Sequence, residues 1–186
     1  MESKFQPPQL SHLGIFTDQQ DKMQVFYERV LGLLVTDAGV AHKFKRRIVF
    51  MSSATNQHHQ FVLVQREAGD PPLGPLFQLS FKVHSLDGIR HVRARAVENG
   101  ATNFRPINHG NSWSLYFEDP EHNTVEIYLD TPWYVSQPFA DELDLDRSDD
   151  EIYSLTEERM RAIGGTYPAA EWSIAMAARL EQGSGI

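Results

Sequence analysis

Two polar side chains interrupt segments that are otherwise apolar: His12 in LSHLGIF and Glu126 in TVEIYLD. A buried imidazole needs a hydrogen-bond or metal partner, and a buried carboxylate is costly unless it is neutralised or compensated. One interpretation is a satisfied core histidine together with an ion pair between Glu126 and an arginine. The other is that both side chains face one cleft and bind a divalent cation, for which imidazole and carboxylate are suitable ligands.

These two residues belong to two copies of one supersecondary unit. The first copy, residues 8–66, begins with a predicted strand at 10–16 and an amphipathic helix over about 18–31, which Gly32 ends. Three β-rich runs follow, namely LLVTD, RRIVFMS and QFVLVQ. This order predicts a βαβββ module.

The second copy, residues 76–130, follows a break rich in Gly and Pro and repeats the same order. Its strand FQLSFKV precedes a helix that Ser85 caps and that runs through Asn99. Three further runs follow, namely TNFRP, WSLYF and TVEIYLD. The second copy is offset from the first by about 66 residues when His12 is aligned with Gln78.

The duplication predicts an α+β fold in which two βαβββ modules form a curved, partly open mixed β-barrel. Each sheet has one face covered by its helix, so its other face must be buried or line a cleft. Polar residues that face inward on the inner strands would then converge on one pocket.

Residues 131–186 form a C-terminal extension with a different pattern. An aromatic, Pro-marked stretch leads into an acidic run and then into predicted helical segments. The extension contains eleven acidic and four basic residues, so it carries most of the formal net charge of −8. We expect an acidic lid or packing arm rather than an element that selects the substrate.

Composition excludes several classes of function. The net negative charge and the lack of a basic tract make nucleic acid a poor partner. The chain has no Cys, which excludes disulfides, thiolate metal sites and a Cys nucleophile. Neither a signal peptide nor a run of 18 apolar residues is evident, so we expect a cytoplasmic protein without a membrane partner.

The chain resembles the vicinal oxygen chelate superfamily, which includes glyoxalases, fosfomycin and bleomycin resistance proteins and extradiol dioxygenases. The likeness covers roughly residues 8–130 and rests on the two modules and on the segments HLGIF, FYERVLG, LFQLSFKV and YFEDPEHNTVEIY. In that superfamily the metal ligands come from the first and last strands of the modules. The resemblance therefore implies His12, Gln78 and Glu126 as ligands.

Further features resemble extradiol catechol or biphenyl-diol dioxygenases. The segment NQHHQFVLV is similar to their His-His stretch, and this likeness implies that His59 is an acid–base residue near substrate and oxygen. The spacing from Tyr116 to Glu126 matches their substrate-contacting Tyr and their carboxylate ligand. His109 resembles the His upstream of that Tyr, although the loop is two residues shorter here.

Gln78 departs from this pattern, because the second ligand of these dioxygenases is a His. A neutral amide oxygen is a weaker donor than imidazole, so iron affinity should fall and the metal could change. The resemblance implies a divalent metal, with Fe(II) preferred and Mn(II) or Zn(II) as alternatives. Some glyoxalases of the superfamily use Gln as a ligand.

The preferred hypothesis is a metal-dependent extradiol dioxygenase-like enzyme that acts on a small aromatic diol with O2. One alternative is a glyoxalase-like lyase or isomerase, which would need a fourth ligand where the sequence offers only His59 or Gln60. Another is a non-catalytic protein that binds an aromatic or an antibiotic. We also expect a homodimer, because the edges of the sheets need cover.

Overall fold

The computed structural model describes residues 9–41, 45–70 and 76–183, with side chains through residue 180. The predicted start of the first module at residue 8 lies outside the described residues. The first module contains one helix and four strands, which are β1 (Leu13–Thr17), α1 (Gln20–Leu31), β2 (Leu34–Val40), β3 (Arg47–Ser52) and β4 (Phe61–Gln65). They form one sheet in the order β1-β4-β3-β2, in which only β1 and β4 run parallel.

The second module repeats this arrangement with β5 (Leu79–Lys82), α2 (Leu86–Glu98), β6 (Thr102–Asn108), β7 (Ser112–Glu118) and β8 (Thr124–Asp130). A short strand of the extension, β10 (Asp141–Glu142), joins it, so the sheet order is β10-β6-β7-β8-β5. The parallel pair is again the first and last strand of the module, β5 and β8. The predicted paired βαβββ fold is confirmed.

Local sequence explains the ends of both module helices. Gly32 follows α1 with φ 69°, a left-handed conformation that glycine adopts without a steric cost. Ser85 caps α2 by accepting a hydrogen bond from the amide of Gly88. Both ends were predicted from the sequence, because these residue types have specific backbone roles.

The two modules pack against each other within this single chain. Helices α1 and α2 are in contact, and the aromatic rings of Phe26 and Phe117 join the modules in the shared core. The buried Tyr27 hydroxyl donates to the carboxylate of Asp119 at 2.8 Å. The sequence left the pairing of modules open, and these contacts place both modules in one packed unit.

The turn between β7 and β8 also reaches the start of α1. Glu121 accepts hydrogen bonds from the Thr17 hydroxyl at 2.9 Å and from the Gln19 amide at 2.6 Å. Gln19, the residue before the helix, makes no side-chain cap of its own. A carboxylate at a helix N-terminus is favourable because the helix dipole is positive there. The second module therefore stabilises the first turn of the first module's helix.

The C-terminal extension packs against the second module. Its elements are β9 (Trp133–Tyr134), β10, α3 (Asp149–Ile163), β11 (Tyr167–Pro168) and α4 (Ala169–Gly183). Arg90 of α2 donates to the carbonyls of Leu145 and Arg147 and pairs with Asp149. Part of the acidic run is therefore held by a basic side chain of the core.

The structure corrects one expectation, which is the position where the first strand begins. Strand β1 begins at Leu13 rather than at residue 10, because its ladder with β4 starts where Leu13 lies opposite Phe61. The two curved sheets are open, as predicted, since no ladder joins them into a closed barrel among the described residues. Within that part of the chain, no helix is long and apolar enough to span a membrane.

Candidate functional site

The site is built around Glu126 on the last strand of the second module. Glu126 is only 8% exposed, although it carries a carboxylate. Strands β5 and β7 flank β8, and their registers place Ser80 and Tyr116 directly beside Glu126. The sheet therefore surrounds one buried carboxylate with polar neighbours from two strands.

Three neutral groups donate hydrogen bonds to this carboxylate. One oxygen, Oε2, accepts from Gln78 Nε2 at 2.7 Å and from Ser80 Oγ at 2.5 Å. The other oxygen, Oε1, accepts from the Tyr116 hydroxyl at 2.5 Å. Glu126 forms no salt bridge with any residue that the structure describes. The expected alternative of a Glu–Arg ion pair is therefore not found in the described part of the chain.

His109 extends this network away from the carboxylate. Its Nε2 lies 3.0 Å from the Tyr116 hydroxyl, and its Nδ1 lies 2.8 Å from the carbonyl oxygen of Phe139. A carbonyl can only accept, so Nδ1 must carry the proton of that hydrogen bond. The side chains Glu126, Tyr116 and His109 form a continuous hydrogen-bonded path.

A phenol has one proton, which it can give to Glu126 or to His109 but not to both. If the phenol donates to Glu126, then His109 Nε2 must donate to the phenol oxygen. If the phenol donates to His109, then Glu126 must be protonated and donate to the phenol oxygen. Burial and the hydrogen bond to Glu126 raise the pKa of Tyr116 well above its ordinary value. Tyr116 therefore stays a neutral phenol that can relay a proton without ionising.

The first module contributes a cluster of histidines. The rings of His12 and His59 lie 4.4 Å apart, and the Nδ1 atoms of His58 and His59 are separated by 3.0 Å. Phe50 packs against His59 with its ring centre at 5.1 Å. His12 is exposed and precedes β1, so the expectation of a buried imidazole within the strand is wrong. The strand ladder begins one residue later.

The environment of His59 favours its neutral form. Burial, reinforced by the neighbouring rings of His12 and His58, lowers the pKa of His59. A neutral imidazole can accept a proton at neutral pH, which is the chemistry that a general base requires.

A cleft of about 590 Å³ lies between the first strands of the two modules. Its polar lining comes from both modules and includes His12 and Gln60 of the first and Gln78 and Ser80 of the second. Apolar side chains make up most of the remaining wall, including Leu13, Phe61, Leu79 and Phe81. The cleft has the mixed character of a small-molecule site.

The structure brings the predicted site residues together in two groups. Gln78, Glu126, Tyr116 and His109 form one hydrogen-bonded set, whereas His12 and His59 form another. No hydrogen bond or ring contact joins the two groups among the described residues. The cleft connects them, because it is lined by both His12 and Gln78.

Ser80 is a site residue that the sequence analysis missed. It lies two positions after Gln78, and alternate residues of a strand share a face. Its hydroxyl also accepts from Gln78 Nε2 at 2.9 Å. The strand period could have identified Ser80 as a neighbour of the carboxylate.

The donor types fit a divalent cation, but the site is not a preformed cage. Glu126 is a buried carboxylate whose partners among the described residues are all neutral, and Gln78 and His12 line one cleft. However, the described residues contain no group of three or more His, Asp or Glu that could hold a metal. Gln78 would have to turn its amide oxygen toward the cation, because its nitrogen faces Glu126.

Comparison with known proteins gives the family. The profile of the Glyoxalase/Bleomycin resistance protein/Dioxygenase superfamily matches residues 9–127, which is more than half of the chain. The chain belongs to this superfamily. The resemblance of the two modules to vicinal oxygen chelate proteins is thereby confirmed.

Known members of the superfamily include one curated relative of this chain. It is the biphenyl-2,3-diol 1,2-dioxygenase 3 of Rhodococcus globerulus, which is 25% identical over 128 residues. The match covers 66% of this chain and 64% of that enzyme. This chain therefore matches somewhat less than two thirds of the relative's length.

Solved structures of superfamily members share the fold. A glyoxylase/bleomycin resistance protein/dioxygenase domain from Frankia sp. EAN1pec matches with a TM-score of 0.57 and 20% identity, covering 68% of this chain and all of that one. The fosfomycin resistance protein of Mesorhizobium loti matches with a TM-score of 0.50 and 21% identity, over 68% of this chain and 94% of that one. At these identities the likeness supports the fold alone.

Proposed function

We propose that this protein is a metal-dependent extradiol dioxygenase-like enzyme that cleaves the ring of a catechol or related vicinal diol. The observation that carries the proposal is the buried carboxylate of Glu126, which has no cationic partner among the described residues and is linked through Tyr116 to His109. The 25% identity to a biphenyl-diol dioxygenase supports the same reaction class.

Glu126, Gln78 and His12 would hold the metal. When bound, a divalent metal such as Fe(II) supplies the centre that chelates both diol oxygens and couples them electronically to O2. Glu126 contributes the negative charge of this site. Burial beside three hydrogen-bond donors keeps its carboxylate fixed in orientation.

His59 is the proposed base that removes a proton from the diol. Its lowered pKa keeps the imidazole neutral, so it can accept that proton near neutral pH. Tyr116 and His109 are the proposed groups that orient the oxygens of the substrate. Their hydrogen-bonded path can also move a proton between the substrate side and His109.

The test is an anaerobic Fe(II) titration of metal-free protein by calorimetry. We expect stoichiometric binding by the wild type, stronger binding by Gln78→His, and weaker binding by His12→Ala. Oxygen uptake with a panel of catechols would then measure the reaction. Wild-type protein that binds iron but consumes no oxygen with any catechol would contradict ring cleavage.

A non-catalytic binding function is the second candidate. One observation favours it. The side-chain amide N–H of Gln78 donates a hydrogen bond to Glu126, so the carboxylate already has a partner from Gln78 without a metal. This candidate predicts that the wild type binds no iron whereas Gln78→His does. It also predicts that aromatic ligands bind in the cleft equally well with and without metal.

A further inference from the structure

The loop that carries His109 is enclosed by the C-terminal extension. Gly110 has φ 73°, and a Cβ atom at this position would lie 2.4 Å from Val135 Cγ1 and 3.0 Å from Met160 Sδ. The distance to Val135 is too short for a Cβ unless the neighbour shifts, and the distance to Met160 is a tight contact. The extension therefore approaches this loop as closely as a glycine permits.

Hydrogen bonds attach the loop to the extension on both sides of Gly110. The amide of Thr131 donates to the carbonyl of Asn111 at 3.0 Å. On the other side, Asn108 Nδ2 donates to Thr156 Oγ1 at 3.1 Å, in a buried contact with α3. These bonds hold the backbone of the loop in one position.

Gln137 links the loop to the segment that contacts the ring of His109. Its Nε2 donates to the carbonyl of His109 at 2.8 Å, and its Oε1 accepts from the amide of Phe139 at 3.0 Å. The carbonyl of Phe139 in turn accepts from His109 Nδ1 at 2.8 Å. One exposed side chain thus holds together the backbone of His109 and the residue whose carbonyl fixes its ring.

We propose that Gln137 is a positioning residue, through which the C-terminal extension fixes the protonated nitrogen of His109. With the proton held on Nδ1, Nε2 is directed at the Tyr116 hydroxyl and so at the path to Glu126. The importance of this for ring cleavage rests on the proposed function. The placement of the proton on His109 does not, since it follows from the hydrogen bonds of the extension.

The extension is therefore more than a packing arm or lid. The acceptor for His109 Nδ1 is 30 positions further along the chain, and it is a main-chain oxygen. The orientation of His109 consequently depends on the extension as well as on Tyr116 of its own module.

The test uses metal-free, full-length protein labelled with ¹⁵N in histidine. Long-range ¹H–¹⁵N correlation spectra report which ring nitrogen of each histidine is protonated, and a His109→Asn variant assigns the His109 signal. In the wild type we expect the Nδ1 shift of a protonated nitrogen. In Gln137→Ala we expect this shift to move away from the wild-type value, because the proton on Nδ1 is no longer held against the carbonyl of Phe139.

The matched control is Arg159→Ala, another exposed side chain of the extension. Arg159 pairs with Asp141 and makes no hydrogen bond to residues 109–111. We expect its His109 spectrum to equal that of the wild type. Gln137→Ala should fold, because Gln137 is exposed, and circular dichroism would verify this.

An unchanged His109 spectrum in folded Gln137→Ala would overturn the proposal. An equal change in Arg159→Ala would also overturn it, because the effect would then be a general loosening of the extension. Neither result depends on metal or on turnover. Failure of this proposal is thus distinguishable from failure of the proposed dioxygenase activity.

Discussion

The two modules have the same topology but hold their polar site residues in different ways. In the second module, Glu126, Tyr116 and His109 are joined by directed hydrogen bonds and backed by the C-terminal extension. In the first, His12 and His59 meet through ring contacts just before β1 and β4 begin, and His12 is exposed. The candidate site therefore has a rigid half, held by directed hydrogen bonds, and an adjustable half, held mainly by ring contacts. Directed bonds fix a geometry before a ligand arrives, whereas exposed rings can still rotate toward it.

The largest expected effect comes from removing the carboxylate of the rigid half. Glu126→Ala should weaken Fe(II) binding by more than about 100-fold, because it removes the anionic ligand and leaves its donors without an acceptor. His12→Ala should weaken binding less, since an exposed ring contributes no fixed geometry. Calorimetric titration of both variants measures the difference. Equal losses would mean that the two modules are equally preorganised.

His59→Ala tests the adjustable half. If His59 is the base, turnover of a catechol should fall by about 10²–10⁴-fold while Fe(II) affinity stays that of the wild type. Oxygen uptake and calorimetry measure the two quantities separately. Unchanged turnover would remove His59 from the mechanism, and a parallel loss of metal affinity would make it a ligand instead.

Gly110→Ala tests the close packing of the C-terminal extension against the second module. The left-handed backbone and the overlap with Val135 should destabilise the protein by about 3 kcal/mol in urea unfolding. Gly100→Ala is the matched control, because Gly100 has φ 82° but nothing within 4 Å of the added Cβ. It should cost about 1 kcal/mol through backbone strain alone. Similar losses of unfolding free energy in both variants would show that Val135 and Met160 shift easily to accept the added Cβ atom.

The smallest effect concerns an ion pair away from the cleft, between Arg46 of the first module and Asp70 of the segment that follows it. The Arg46 guanidinium, aided by the backbone amide of Glu67, lowers the pKa of Asp70 in the folded protein. The resulting stabilisation is present above the ordinary pKa of an aspartate and is lost as the pH falls through the lowered value. Urea unfolding of the wild type and Asp70→Asn should therefore differ at pH 7 and converge in acid. A constant difference across this range would contradict the assignment.

Some features of the fold and site could be predicted from the sequence because the signal is local. Gly32 and Ser85 end or cap helices through their own backbone preferences and side chains. Glu126 stood out because a carboxylate between apolar strand residues requires a partner. Ser80, which pairs with Glu126 across the sheet, could also have been predicted, because it lies two residues after Gln78 and alternate residues of a strand share a face.

Other features had no signal that a single sequence carries. The acceptor of His109 Nδ1 is a backbone carbonyl, which every residue possesses, so no residue type pointed to Phe139. The exposed position of His12 depends on where the β1–β4 ladder begins, which tertiary pairing decides. The partners of Glu126 are neutral rather than basic because the register of three strands selects them.

The contact of Glu121 with the start of α1 couples the unfolding of the two modules. A fragment that ends after β4 would lack the carboxylate at the start of its helix, and Tyr27 would lose its acceptor Asp119. Neither half is then expected to fold by itself. Denaturant should melt both halves in a single transition, and two separately expressed halves should regain structure only on mixing, as in fragment complementation.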